Sequence, residues 1–212
     1  MNKIVKNALI LMAITLVAGI CLGFVYEITK EPIAIQEQQA KEKAYQAVFP
    51  GMASMEAVYG LDEETDAAQV QAEADAVLTE NDMGDIRVEE AYRAVDESGE
   101  TLGIVMNLTT SGYGGEINFS MGIQKDGTVN GIEILSISET AGLGMRATED
   151  EFKSQFSGKN VEKFAVTKSG ASADDEIDAI SGATITSNGM TKGVNAGICY
   201  FRSLVEGGVF NE

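Results

Sequence analysis

Asp178-Ala179-Ile180-Ser181-Gly182-Ala183-Thr184-Ile185-Thr186-Ser187 is the stretch on which the reading of this chain turns. Three hydroxyl side chains, Ser181, Thr184 and Thr186, surround a Gly-Ala pair, and Ser187 follows. Downstream, Met190, Val194, Ile198, Phe201 and Val205 recur at spacings of three and four, which puts them on one helical face. Thr186 therefore falls at or just before a helix N-terminus. There, unpaired backbone N–H groups and the positive end of the helix dipole favour a phosphate. Serine and threonine are also common in turns and at helix N-caps. Local chemistry alone supports a phosphate site and a plain turn equally.

Upstream of this stretch the chain reads as strands. Ile86 to Val95, Leu102 to Thr109, Ile117 to Gln124 and Val129 to Ile137 carry the apolar, β-branched pattern, with turn signals at Glu97-Ser98-Gly99 and Asp126-Gly127. Thr148-x-x-Glu151 is a capping box for a short helix bearing Phe152 and Phe156 on one face. Phe164 to Thr167 supplies one more short strand. The pattern predicts an α+β domain over 86–212 with a mainly antiparallel sheet. Residues 31–85 read as a helical, acidic connecting region: Pro32 suits the first turn of a helix running to about Val48, and Pro50-Gly51 ends it.

From Asn7 to Tyr26 no charged residue interrupts the chain. About twenty residues at about 1.5 Å rise span about 30 Å, the hydrocarbon thickness of a bilayer. The apolar run is longer than a signal-peptide core and no Ala-x-Ala site follows it, so residues 1–30 read as an uncleaved membrane anchor. Lys3 and Lys6 before the span favour an N-terminus inside, with the main domain outside the cytoplasm.

A net charge of −18 argues against nucleic acid. Most of the acid lies between Glu56 and Glu100, reads as solvated surface, and lacks the compact repeat of a calcium loop. Cys21 and Cys199 form neither a CxxC nor a zinc cluster, and with no histidine in the chain imidazole proton relays are absent. No metal site and no catalytic group of its own is expected.

Ser181-Gly182-Ala183-Thr184-Ile185-Thr186 resembles the flavinylation motif of the FMN-binding domain found in the G subunit of Rnf complexes and the C subunit of sodium-pumping NADH:quinone oxidoreductases. The resemblance implies that Thr186 carries one covalent FMN through a phosphoester. Ser181, Gly182, Ala183 and Thr184 would be the recognition sequence for a separate flavin transferase, with Ser187 beside them. Glu139-Thr140-Ala141-Gly142-Leu143-Gly144 resembles the family's Glu-Thr-Pro-Gly-Leu-Gly loop, with Ala141 in the proline position. Ile137 stands where the family often has histidine. Tyr113-Gly114-Gly115-Glu116-Ile117 resembles its Gly-Tyr-Gly-Gly segment. Glycine permits tight turns and also close approach of backbone to a flat ligand, so Leu143 is expected to pack on the isoalloxazine and Tyr113 to serve as a packing or hydrogen-bonding anchor.

The function implied is electron transfer within a bacterial or archaeal membrane complex coupling ferredoxin:NAD⁺ electron transfer to Na⁺ or H⁺ translocation. Its partners would include a second FMN-carrying subunit and iron–sulfur subunits, whose Cys clusters this chain lacks. The alternatives are the C subunit of the quinone reductase, a free-standing extracytoplasmic flavoprotein, and a non-redox membrane-anchored binding module.

Overall fold

The computed structural model of the protein describes residues 3–210. Its sheet is a five-stranded meander. β1 (Ser54–Ala57), β2 (Arg87–Val95), β3 (Thr101–Ser111), β4 (Glu116–Gln124) and β5 (Val129–Ile137) lie in that spatial order, and every pair is antiparallel. The turns that the sequence marks at Gly99 and Gly127 hold φ of +85° and +88°, a conformation glycine adopts without cost. β3 is the middle strand and both its faces are covered. Ile104, Met106 and Leu108 join the large core, whereas Val105 joins a smaller cluster on the other face. It therefore reads as a nearly continuous buried run instead of alternating.

The large core forms where α2 (Glu63–Glu80) and α4 (Thr184–Glu206) cover one face of the sheet. α2 presents Val70, Ala74 and Leu78, spaced four apart and fully buried. Asp62 caps it by accepting the Thr65 N–H at 3.1 Å. One turn on, the buried Asp66 carboxylate accepts the N–H groups of Val58 and Tyr59 at 3.1 and 2.9 Å. These charge-assisted bonds offset the cost of burying the carboxylate and pin the segment after β1 to the helix.

α4 lies very close to the sheet. A Cβ built on Gly193 would stand 2.9 Å from the Phe119 ring, and one on Gly197 would stand 2.6 Å from the Met121 sulfur. With Gly189 these glycines form a row that admits the β3 and β4 side chains against the helix backbone. Met190, Val194, Ile198 and Phe201 are buried as their spacing predicts, but Val205 is 40% exposed, and its neighbour Leu204 takes the inward position in the last turn.

On the opposite face Tyr45, Val48 and Phe49 pack against Ala94 and Val105. Gly103 and Gly122 make room for Phe49, since a Cβ at either would stand within about 3 Å of its ring. The Tyr45 hydroxyl donates to Glu90 at 2.9 Å, and burial, followed by the nearby Glu90 charge, raises the phenol above its usual range.

These residues end α1 (Lys3–Val48), which the chain builds without a break. Pro32 sits inside this helix and does not open a second one. Its side-chain surroundings are exposed, so water can satisfy the carbonyl that the ring leaves unbonded. The chain divides into two compact units, Met1–Lys41 and Glu42–Glu212. Residues 42–85 thus fold with the sheet through β1 and α2. In the first unit Leu9, Leu16, Ile20 and Phe24 are all exposed, and α1 is the one helix among the described residues long and apolar enough to cross a membrane.

α3 (Asp150–Lys153) buries Phe152, which meets Phe156 edge-on at 5.6 Å, and Phe156 meets Phe164 at 5.2 Å. The expected capping box does not form. The N-cap is Glu149, one residue later, and the Thr148 hydroxyl instead donates back to the Met145 carbonyl at 2.9 Å. β6 (Ala165–Thr167) pairs in parallel with β7 (Glu176–Asp178), and this small ladder delivers the chain to the hydroxyl-rich stretch.

Candidate functional site

The three segments singled out in the sequence meet at one end of the sheet. β7 ends at Asp178, and Gly182 makes the turn with φ of +77°. α4 begins at Thr184, so Thr186 is the third residue within the helix and not its cap. The N-cap is Ala183, and no side chain caps the helix. The amides of the first turn are left to a ligand or to water.

Gly182 faces the 139–144 loop directly: a Cβ there would stand 3.0 Å from Leu143 Cδ2. The same loop meets the turn between β3 and β4 through Glu139. Its Oε1 accepts the Tyr113 N–H at 2.6 Å and the Gly114 N–H at 3.2 Å. The carboxylate is wedged between two glycines, since a Cβ at Gly112 would stand 2.2 Å from Oε1 and one at Gly144 would stand 2.5 Å from Oε2. α4 closes the circuit. Gly189 lies against the Ser111 carbonyl, and the Thr110 hydroxyl donates to the Gly189 carbonyl at 2.9 Å.

Individual placements differ from the sequence reading in three respects. The Tyr113 ring is 72% exposed. Its anchored part is the backbone N–H on Glu139, so it is not a packing residue. Ser187 is fully buried, and its Oγ is taken up inside the turn, accepting from the Ile180 N–H at 2.9 Å and donating to the Ala183 carbonyl at 3.0 Å. Thr186 is only 1% exposed, while Ser181, Gly182, Thr140 and Gly142 are open to solvent and Thr184 and Glu139 are half-buried. Ala183 and Gly144 are buried.

The sequence reading passed over Ile185, which is 55% exposed in the first turn of α4. Its signal was available: it is the one large apolar side chain among the hydroxyls of residues 181–187. Apart from Leu61 and Val205, the large apolar side chains exposed on the Glu42–Glu212 unit among the described residues are Tyr113, Leu143 and Ile185. Their concentration at one corner is not a property of ordinary surface.

A family model described as the FMN-binding domain matches residues 112–198, which contain all three segments, and one described as the RnfG N-terminal region matches residues 1–48. The chain is 34% identical over 202 residues to the G subunit of the Na⁺-translocating ferredoxin:NAD⁺ oxidoreductase complex of Acetobacterium woodii, spanning 94% of this chain and 92% of that one. This chain belongs to the RnfG family. It is also 29% identical over 200 residues to the G subunit of the ion-translocating oxidoreductase complex of Methanosarcina acetivorans, spanning 94% and 95% of the two chains. Among solved structures it is similar to the C subunit of the Na⁺-translocating NADH-quinone reductase of Parabacteroides distasonis, with 23% identity, coverage of 64% and 68%, and a TM-score of 0.47.

The matched FMN-binding domain spans this corner, and the chemistry of the residues there fits that group. Amides without a side-chain cap at the start of α4 match a negatively charged phosphate. The exposed Leu143, Ile185 and Tyr113 offer apolar surface to a flat ring.

Proposed function

We propose that this chain is the membrane-bound electron-transfer component of an ion-translocating ferredoxin:NAD⁺ oxidoreductase complex, and that it carries one FMN as a phosphoester on Thr186. The observation that carries this reading is the meeting of residues 112–115, 139–144 and 180–187 at one corner, with Tyr113, Leu143 and Ile185 exposed around it. FMN supplies the redox chemistry when bound, and the protein supplies position and surroundings. Thr186 would hold the phosphate, with the first-turn amides of α4 beside it. Leu143 would lie on the ring, and Glu139 would keep the 112–115 turn and the 139–144 loop in register. Ser181 to Thr184 would be the stretch gripped by a flavin transferase.

In protein made alongside such a transferase, Thr186→Ala should abolish flavin fluorescence on a denaturing gel. Fluorescence that persists, or a flavin peptide mapping to Thr184 or Ser187, refutes the assignment. Partners in this reading are the other subunits of the membrane complex, among them a second FMN carrier and iron–sulfur proteins.

The same reading puts α1 across the membrane once, with residues 42–212 outside the cytoplasm. It is supported by the uncharged run from Asn7 to Tyr26 and by Lys3 and Lys6 before it. A cysteine introduced at Asp62 should react with a membrane-impermeant thiol reagent in intact cells. Labelling only after lysis would reverse the orientation.

A further inference from the structure

A groove of about 1180 Å³ runs along the outward face of α4, within the Glu42–Glu212 unit. Its floor is the polar side of the helix from Asn188 to Glu206, about 27 Å at about 1.5 Å per residue. One wall is the end of α2 with the residues that follow, 77–83. The other is the segment 162–166 with Asp175. The flavin reading makes no use of this surface.

The charges along the groove do not balance. Lys192 is paired with Asp85 and Arg202 with Glu162. Glu80, Asp82, Asp175 and Glu206 are exposed and have no ion partner among the described residues, against Lys163 alone on the basic side. α2 and α4 both end on the groove, at Glu80 and Glu206, and neither has a basic residue in its last turn. Each presents the negative end of its dipole there.

Two further features separate this groove from ordinary acidic surface. Thr191 lines it and is 3% exposed, and its hydroxyl has no hydrogen-bond partner among the described residues. A buried hydroxyl left unpaired is unfavourable, and an incoming polar group can relieve it. Val77, Met83 and Val166 stand half-buried among the charges. Lysine and arginine carry a charged head on an apolar stem, so a lining both acidic and apolar suits both parts. A bare cation would have no use for the apolar side chains.

We propose that this groove seats a lysine- or arginine-bearing segment of another subunit of the membrane complex, held by Glu80, Asp82, Asp175 and Glu206 and by the ends of α2 and α4. The groove begins at Asn188, two residues beyond Thr186, so the seated segment brings its own subunit to the flavin-bearing end of α4. The seat itself does not depend on what Thr186 carries.

The test uses the purified complex, with benzoylphenylalanine at Ser203 as a photo-crosslinker in the groove. Illumination should join this chain to another subunit, at a segment with lysine or arginine repeated within about eight residues, the extended length that spans the groove. Neutralising the groove with Glu80→Gln, Asp82→Asn, Asp175→Asn and Glu206→Gln should cut the cross-link about fivefold, and about 0.5 M salt should do the same to the wild type. Asp75→Asn, Glu97→Gln and Glu100→Gln, exposed acids outside the groove, should leave it unchanged. An equal fall in both variants means general charge attraction and overturns the seat. If the neutralised chain does not fold, the salt series on the wild type decides, and a salt-insensitive cross-link overturns it. A cross-link to an acidic or uncharged segment, to a second copy or to lipid also overturns it, as does no cross-link in an intact complex. Flavin on Thr186 is read separately by gel fluorescence, so its failure leaves this surface standing.

Discussion

α1 and α4 both carry long apolar stretches and dispose of them in opposite ways. In α1, Leu9, Leu16, Ile20 and Phe24 are between 47% and 68% exposed, and the apolar side chains of its first half point in every direction. In α4, Met190, Val194 and Tyr200 are completely buried, and Gly189, Gly193 and Gly197 bring the helix backbone onto the sheet. An all-round apolar helix in water would expose several times the apolar surface of a normal protein patch. Its natural solvent is lipid, whereas α4 finds its solvent in the protein's own core. What separates the two is a polar face: Asn188, Lys192, Arg202 and Glu206 keep one side of α4 polar, whereas Asn7 to Tyr26 of α1 has no charged residue on any side.

The largest test of that contrast charges α1. Leu16→Arg with Ile20→Arg should cost membrane insertion roughly 6 kcal/mol, from about 3 kcal/mol per arginine at mid-span. The double variant should leave the membrane fraction, with thermal unfolding of the sheet unit unchanged. Retention in membranes would mean that α1 is not a lipid-facing span.

Next comes the glycine row. Gly193→Leu drives a side chain into the Phe119 ring and should destabilise the sheet unit by about 3 kcal/mol, read as a lower denaturant midpoint. Membrane association should be untouched. A wild-type midpoint would show that α4 has slack against the sheet.

A smaller effect is expected where α4 meets the loops. Glu139→Gln keeps the shape of the carboxylate but weakens its bonds to the Tyr113 and Gly114 amides, at a cost of about 1 kcal/mol. Amide exchange at Tyr113 should quicken and the flavin absorbance should shift, with flavin content preserved. Unchanged exchange would remove Glu139 as the tie between the loops.

The smallest concerns the Lys192–Asp85 ion pair, which links α4 to the residues before β2. The hydrogen bond from Lys192 holds the Asp85 carboxyl below its ordinary value. Its contribution is present above the unfolded pKa of about 3.9 and fades as pH falls through the depressed folded value. Both side chains are largely exposed, so Lys192→Ala should cost only a few tenths of a kcal/mol at pH 7, and progressively less as pH falls through the depressed folded value of Asp85. A difference that grows on acidification would reverse the sign argued here.

The meander was largely legible because each of its longer strands announces itself locally. Val129–Ile137 has the ends that its β-branched run and the preceding Asp126-Gly127 turn predict. β1 escaped because it is four residues at a sheet edge inside an acidic segment, and β7 because three residues carry no periodicity. The glycine row escaped for a different reason: apolar periodicity sees side chains, and these positions work by having none. At the site, motif order and resemblance brought the right segments together. The helix begins at Thr184, two residues before the point the hydroxyl pattern suggested, and the burial of Thr186 and Ser187 was not legible from hydroxyl spacing.

The order of the strands also sets an order of assembly. Every ladder in the meander joins chain neighbours, so the sheet can form from local contacts as soon as Ile137 has been made. α4, the last element, must then find β3 and β4 across some eighty residues, as the Thr110–Gly189 bond measures. On a ribosome adding about 5–20 residues per second, several seconds separate a finished sheet from its final helix. During that interval the sheet face that receives Met190, Val194 and Phe201 is uncovered, so the finished meander waits on its last helix for a closed core.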